Sequence, residues 1–189
     1  GAHQLMKILR RSASEDFFAA GLFFRKVYAI MIQEISRPSL PAKLKEKEGA
    51  FAMQSLCDRW EFVSDWYDGF AVGEGEGECV RLPHTVKEIP QHYADSQSYQ
   101  MVCGYRKKLT LDPTLAGKRL FVQFDGAAHI ATVYLNGKEL ATHRCGYTAF
   151  RVDITDAAVL GGGNWLAVKL DTTENGEVPP FGFVIDYLT

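Results

Sequence analysis

Apolar positions follow two different rhythms along this chain, and the change falls near Gly49. Before it, Phe17, Gly21, Phe24, Tyr28, Met31 and Ile35 recur at steps of three and four, which places them on one face of a helix. Ser12 with Glu15, or Ser14 ahead of the apolar run, suits the start of that helix. Ser36-Arg37-Pro38 and Pro41 end it. Lys43 to Glu48 mixes both charges and reads as a solvated linker or a short exposed helix. Residues 1–52 are therefore expected to form a helical N-terminal extension and linker. Its apolar stripe would bury itself on the neighbouring domain or on another copy of the chain, giving a homo-oligomer.

After Gly49 the period shortens to two. Strands are predicted at Trp60 to Val63, Glu78 to Leu82, Met101 to Leu111, Arg119 to Phe124, Ile130 to Leu135, Glu139 to His143, Thr148 to Ile154 and Trp165 to Leu170. Turn residues separate them: Gly73 to Gly77, Asp112-Pro113, Asp125-Gly126, Asn136-Gly137 and Gly161 to Asn164. Alternating Val133 and Leu135 ahead of Asn136-Gly137 give the strongest hairpin signal. Short strands without intervening helices predict an all-β sandwich over residues 53–189, with Val133, Leu135, Leu166, Val168 and Leu170 in its core.

Composition changes this picture little. Of 189 residues, 47% are hydrophobic and 23% charged, ordinary for a globular domain. A formal net charge of −2 offers no attraction to nucleic acid or to an anionic membrane, and neither partner is expected. No run is long and apolar enough to span a bilayer, and the basic and apolar N-terminal stretch makes a poor secretory signal. Cys57, Cys79, Cys103 and Cys145 form no Cys-x-x-Cys pair, which argues against a zinc or thioredoxin-like site; their number allows two disulfides, but isolated cysteines on strand-like segments read rather as buried free thiols, in a reducing, cytoplasmic compartment.

Several short motifs carry a resemblance. Trp60-Glu61-Phe62, Arg81-Leu82-Pro83-His84-Thr85, Gly104-Tyr105-Arg106-Lys107, the run Phe121 to Phe150, Val168 to Asp171 and Pro179-Pro180 occur in an order that resembles the N-terminal sugar-binding domain of glycoside hydrolase family 2, the β-galactosidase and β-glucuronidase family. Gly104 stands where the family's strand usually has Trp. The resemblance covers about Trp60 to Thr189. It implies a jelly-roll, galactose-binding-like sandwich, truncated at its C-terminal end. It also implies an immunoglobulin-like domain and a (β/α)₈ barrel in the parent chain as partners. The parent is expected to be a retaining glycosidase acting on a β-glycoside through two barrel glutamates. This chain lacks those motifs and is expected to be inert alone. Met53-Gln54-Ser55-Leu56 resembles a native start.

The resemblance also nominates substrate contacts. Asp186, after Pro179-Pro180, matches a loop aspartate that reaches the barrel's active site and accepts hydrogen bonds from a sugar hydroxyl. Gln100 lies where some β-galactosidases place a sugar-contacting Asn. Asp171, at a strand end, reads as turn chemistry or as a third contact.

Other polar residues have plainer readings. His129, Arg144 and Tyr147 read as structural hydrogen-bonding groups, and Ser96 and Ser98 lack a nucleophile elbow. Gly146 is expected to permit a tight corner through its backbone freedom. Glu74, Glu76 and Glu78 read as a solvated hairpin rather than a calcium loop, and no metal or cofactor is expected. Trp60, Trp66, Tyr67 and Tyr93 raise the alternative of a free-standing carbohydrate-binding or adhesion sandwich with an aromatic platform.

Overall fold

The computed structural model describes residues 23–24, 27–32, 51–86 and 100–173, with side chains from Met53 onward. In chain order the strands are β1 (Phe23–Phe24), β2 (Val27–Ile32), β3 (Phe51–Ser55), β4 (Trp60–Val63), β5 (Glu78–Val80), β6 (His84–Thr85), β7 (Val102–Thr110), β8 (Arg119–Phe124), β9 (Ile130–Leu135), β10 (Lys138–Arg144), β11 (Phe150–Asp153) and β12 (Gly163–Asp171). They form a six-stranded sheet, β10-β9-β12-β7-β4-β5, a four-stranded sheet, β11-β8-β2-β3, and the pair β1-β6. Every pairing is antiparallel. All eight strands expected after Gly49 are present.

One core lies between the two larger sheets. Ala131, Val133 and Leu135 of β9 and Leu166, Val168 and Leu170 of β12 point into it from one side. Leu120, Val122 and Phe124 of β8 and Val152 of β11 meet them from the other. Each is at most 4% exposed, so the period of two expected from the sequence is the period of burial. Trp60 of β4 is fully buried, and its indole N–H donates to the Leu56 carbonyl at 2.6 Å, which satisfies its one polar atom.

The helix expected across Phe17 to Ile35 is not what the described part of that stretch forms. Residues 23–24 and 27–32 are strands; the rest of the expected helix lies outside the described residues. β2 pairs with β8 on one side and β3 on the other. Its sequence, Val27-Tyr28-Ala29-Ile30-Met31-Ile32, is rich in β-branched and aromatic residues. Partners distant in the chain decide between the two states for such a segment.

The Asn136-Gly137 turn works as expected and does more. Both residues have positive φ, 53° and 79°, the geometry of a tight turn between twisted strands. Trp165 N–H donates to Asn136 Oδ1 at 2.9 Å, and Asn136 Nδ2 donates to Asn164 Oδ1 at 3.0 Å. The β9–β10 hairpin is thus tied to β12.

The Gly73–Gly77 stretch is not simply solvated. A 3₁₀ turn, Asp68–Val72, leads into it across the outer face of the six-stranded sheet. Arg106, 3% exposed, rises from β7 beneath. Its Nε and Nη2 donate to Glu61 Oε2 at 2.8 and 2.5 Å, its Nη1 to the Phe70 and Glu74 carbonyls at 3.3 and 2.6 Å, and its Nη2 to the Gly75 carbonyl at 2.7 Å. All five donors of the guanidinium are used. Phe70 and Trp165 rings lie 4.2 and 4.9 Å from its carbon. The glutamate side chains are exposed while the backbone between them is clamped.

Candidate functional site

Three strand ends meet where β7 begins, β9 begins and β12 finishes. Thr172, 1% exposed, closes this end: Met101 N–H donates to its hydroxyl at 2.9 Å, and its own N–H donates back to the Met101 carbonyl at 3.0 Å. Asp171 pairs with Val102 and Ile130. Gln100, half-buried, directly precedes Met101. The structure therefore brings Gln100 and Asp171 to the same end of one sheet. Asp186, the third predicted contact, lies outside the described residues.

Asp171 is engaged in turn chemistry. The Thr173 N–H and hydroxyl both donate to its Oδ1, at 2.9 and 2.6 Å. His129 also belongs to this end. Its N–H donates to the Asp171 carbonyl at 3.3 Å. Its ring is 5% exposed and hydrogen-bonds the Thr172 backbone, while Nε2 is buried with no partner among the described residues. Burial lowers the His129 pKa, with the Asp171 charge and the Thr172 backbone opposing, so the ring is held towards neutrality.

The outer face of the same sheet carries a second group of side chains. Strand register places Tyr134 beside Glu139, and Thr132 beside Thr142, with Lys169 paired to Thr132 and to Gly104. Trp66 lies over Gly104, where an added Cβ would stand 2.7 Å from the Trp66 Cε3. Thus the space that Gly104 leaves above β7 is filled by Trp66, from elsewhere in the chain. Trp66 stacks on Tyr134 with ring centroids 5.4 Å apart and 25° between planes, and its Nε1 donates to Asp68 Oδ1 at 3.1 Å. Burial, then Glu139 and Asp68, raise the Tyr134 pKa, which places two carboxylates near that phenol.

Other expected residues sort plainly. His129 is buried, whereas Arg144 and Tyr147 lie at the surface. Gly146 has no positive φ; it is required by close approach, since a Cβ would meet the Ala128 Cβ at 2.7 Å. Trp60 and Tyr67 offer no joint platform, because Trp60 is in the core and the Tyr67 hydroxyl donates to the Glu74 carbonyl at 2.8 Å. Tyr93, Ser96 and Ser98 lie outside the described residues. An open groove of about 630 Å³, lined by Phe62, Asp65, Tyr67, Glu76 and Glu78 among others, contains neither Gln100 nor Asp171, the predicted contacts among the described residues. Among the described residues no three His, Cys, Asp or Glu side chains are grouped to hold a metal ion.

The sequence missed the Arg106 clamp and the Trp66–Tyr134 stack. Gly104 in place of a usual Trp was the one available signal for the second.

Comparison with known proteins places this geometry. Residues 88–177 match the family described as glycosyl hydrolase 2 galactose-binding domain-like. The chain is 37% identical over 129 residues to a β-galactosidase of Thermoanaerobacter pseudethanolicus, covering 68% of this chain and 17% of that one. It is 37% identical over 108 residues to a β-glucuronidase of Bacteroides fragilis, covering 57% and 15%. A solved glycosyl hydrolase family 2 member from Bacteroides cellulosilyticus superposes with a TM-score of 0.55 at 28% identity, over 65% of this chain and 18% of that one. The chain thus spans less than a fifth of the length of these relatives. With its paired antiparallel sheets and its ordered motifs, the chain is similar to the galactose-binding-like domains of glycoside hydrolase family 2.

Proposed function

We propose that this chain is a non-catalytic, jelly-roll sugar-binding domain of a family 2 glycosidase acting on a β-glycoside. One observation carries the reading: residues 88–177 match a galactose-binding-like domain, and the relatives named β-galactosidase or β-glucuronidase are several times longer than this chain. The functional unit is residues 53–189, to which the upstream extension contributes β2. Its role is to pack beside a (β/α)₈ barrel and an immunoglobulin-like domain, wall the active site, and lend the loop carboxylate Asp186 to a sugar hydroxyl. Gln100 and Asp171 stand at the end of the sheet. Gln100 is a contact of the same kind. Asp171 shapes the turn from which the chain runs on towards Asp186, because its Oδ1 already serves Thr173. The setting proposed for it is reducing and cytoplasmic, with none of the four cysteines in a disulfide.

A free-standing binding or adhesion module has no comparable support. Asp186→Ala in the complete enzyme tests the main reading. The expected result is a fall in kcat/KM of about a hundredfold, the loss of an interaction between a charged acceptor and substrate worth roughly 3 kcal/mol. Unchanged kcat/KM on both aryl β-galactosides and aryl β-glucuronides would sink it.

A further inference from the structure

β5 is one of the two edges of the six-stranded sheet, and among the described residues no strand pairs with its other side. The opposite edge, β10, has a register break between Glu139 and Ala141, the kind of irregularity that blunts an edge. β5 has no such break: Glu78, Cys79 and Val80 pair in register with Phe62, Glu61 and Trp60. Glu78 and Cys79 are exposed. The unpaired N–H and C=O groups along such an edge are a template for one more strand.

Charge is divided along this edge. Where β5 begins and β4 ends lies the open groove, whose lining holds Asp65, Glu76 and Glu78 and, among the described residues, no cation. Where β5 ends and β4 begins, Arg59, Arg81 and Lys107 gather around Asp58. Arg81 Nε lies 2.8 Å from Asp58 Oδ1, and Lys107 Nζ donates to the Asp58 carbonyl. Burial, then the Arg59 charge, lowers the Lys107 pKa, which places those two cations near each other. The Arg81 side chain is 78% exposed, so its guanidinium stays open to a second acceptor.

We propose that β5 pairs with β5 of a second copy of this chain, antiparallel and about a two-fold axis at Cys79. That arrangement sets the acidic end of each copy against the basic end of the other, twice over, whereas a parallel pairing would set like charges together. A foreign strand would need a matching gradient of its own; a second copy carries it already. The two Cys79 side chains then face each other on one side of a continuous sheet, with Cβ atoms about 4.5–5.5 Å apart. So short a strand pair buries less than the roughly 1,200–2,000 Å² of a stable interface, so the dimer is weak and salt-sensitive. The surface is distinct from the apolar N-terminal stripe, and it does not depend on any part the domain takes in sugar hydrolysis.

Sedimentation velocity of the full 189-residue chain under reducing conditions is the first test. A monomer–dimer equilibrium is expected, with Kd on the order of 10–100 μM. Raising NaCl from about 0.05 to about 1 M is expected to weaken it at least tenfold, because the screening length shrinks to about 3 Å. Brief oxidation with copper–phenanthroline, which removes two electrons and two protons from a thiol pair, is expected to link the copies Cys79 to Cys79 by peptide mapping. Cys57 and Cys103 are buried, and Cys145, half-exposed, serves as the internal control. Two charge-reversed chains complete the test: Glu76→Lys/Glu78→Lys and Arg59→Glu/Arg81→Glu, all at exposed positions. Each is expected to be monomeric alone, with the circular dichroism of the folded parent, and the two are expected to dimerise when mixed. A chain still monomeric at about 500 μM, a dimer linked through Cys145 instead, or folded charge variants that self-associate alone or fail to pair when mixed overturns the proposal.

Discussion

Removing the Arg106 side chain should destabilise this domain more than almost any other single truncation at its surface layers. Arg106→Ala deletes five hydrogen bonds and leaves the Glu61 carboxylate without its cation. Breaking a buried ion pair from one side costs about 3–5 kcal/mol. The Glu61 side chain is 35% exposed, so water recovers part of its solvation and the lower end, about 3 kcal/mol, applies. The Glu74 and Gly75 carbonyls sit in an exposed loop and rehydrate, but the Phe70 carbonyl belongs to a buried residue and adds roughly 1 kcal/mol. A total of about 4 kcal/mol is a large fraction of the ~5–15 kcal/mol typical of a domain. At about 2–4 °C per kcal/mol, Tm should fall by roughly 8–16 °C. Arg106→Lys should recover less than half, because an ammonium cannot reproduce a planar five-donor fork. Urea denaturation gives the energies. Amide exchange adds a local signature, since residues 69–76 should exchange faster in the variant than the β9–β12 ladder does. An Arg106→Ala domain within about 1 kcal/mol of wild type, or one with unaltered exchange in that loop, refutes the clamp.

Gly104→Ala should cost about 1–3 kcal/mol by urea melt, because its Cβ would press on Trp66 at 2.7 Å and Val63 at 3.1 Å, and Trp66→Ala in the same chain should relieve part of that cost. Asn136→Ala should cost about 2–3 kcal/mol through lost hydrogen bonds and a strained positive φ, with Asn136→Gly, which keeps the backbone geometry, losing about half as much. Burial lowers the pKa of both His84 and His129 below 6.5, so the unfolded chain takes up protons first as pH falls. Stability is therefore expected to be full above pH 6.5 and to decline below it, down through the folded-state values; a urea midpoint unchanged between pH 7.5 and 5.5, or a decline undiminished in the His84→Gln/His129→Gln double variant, contradicts this.

The strands after Gly49 were readable because each has an inner and an outer face, and residues such as Val133, Leu135, Leu166 and Val168 report the inner one. Asn136-Gly137 was readable because few dipeptides accept two consecutive positive φ values. Val27–Ile32 misled because apolar residues this dense satisfy a period of three to four as well as a strand, and the strands that settle it lie some twenty and ninety residues downstream. The Arg106 clamp was hidden for the same reason: its acceptors at 61, 70, 74 and 75 precede it by more than thirty residues and three of them are backbone carbonyls, which any sequence supplies. Asp171 beside Thr173 was legible as a turn, since Asp and Thr commonly bond the backbone two residues away. That Gln100 stands at the same sheet end as Asp171 required the β7–β12 register.

The most direct test of the central claim is the coding sequence read through and beyond the codon for Thr189. An uninterrupted frame is expected, encoding an immunoglobulin-like sandwich and a (β/α)₈ barrel with two glutamates whose carboxyl groups lie about 5–5.5 Å apart, as a retaining glycosidase requires. A frame that closes shortly after Thr189, or continues into a protein without that barrel, contradicts it.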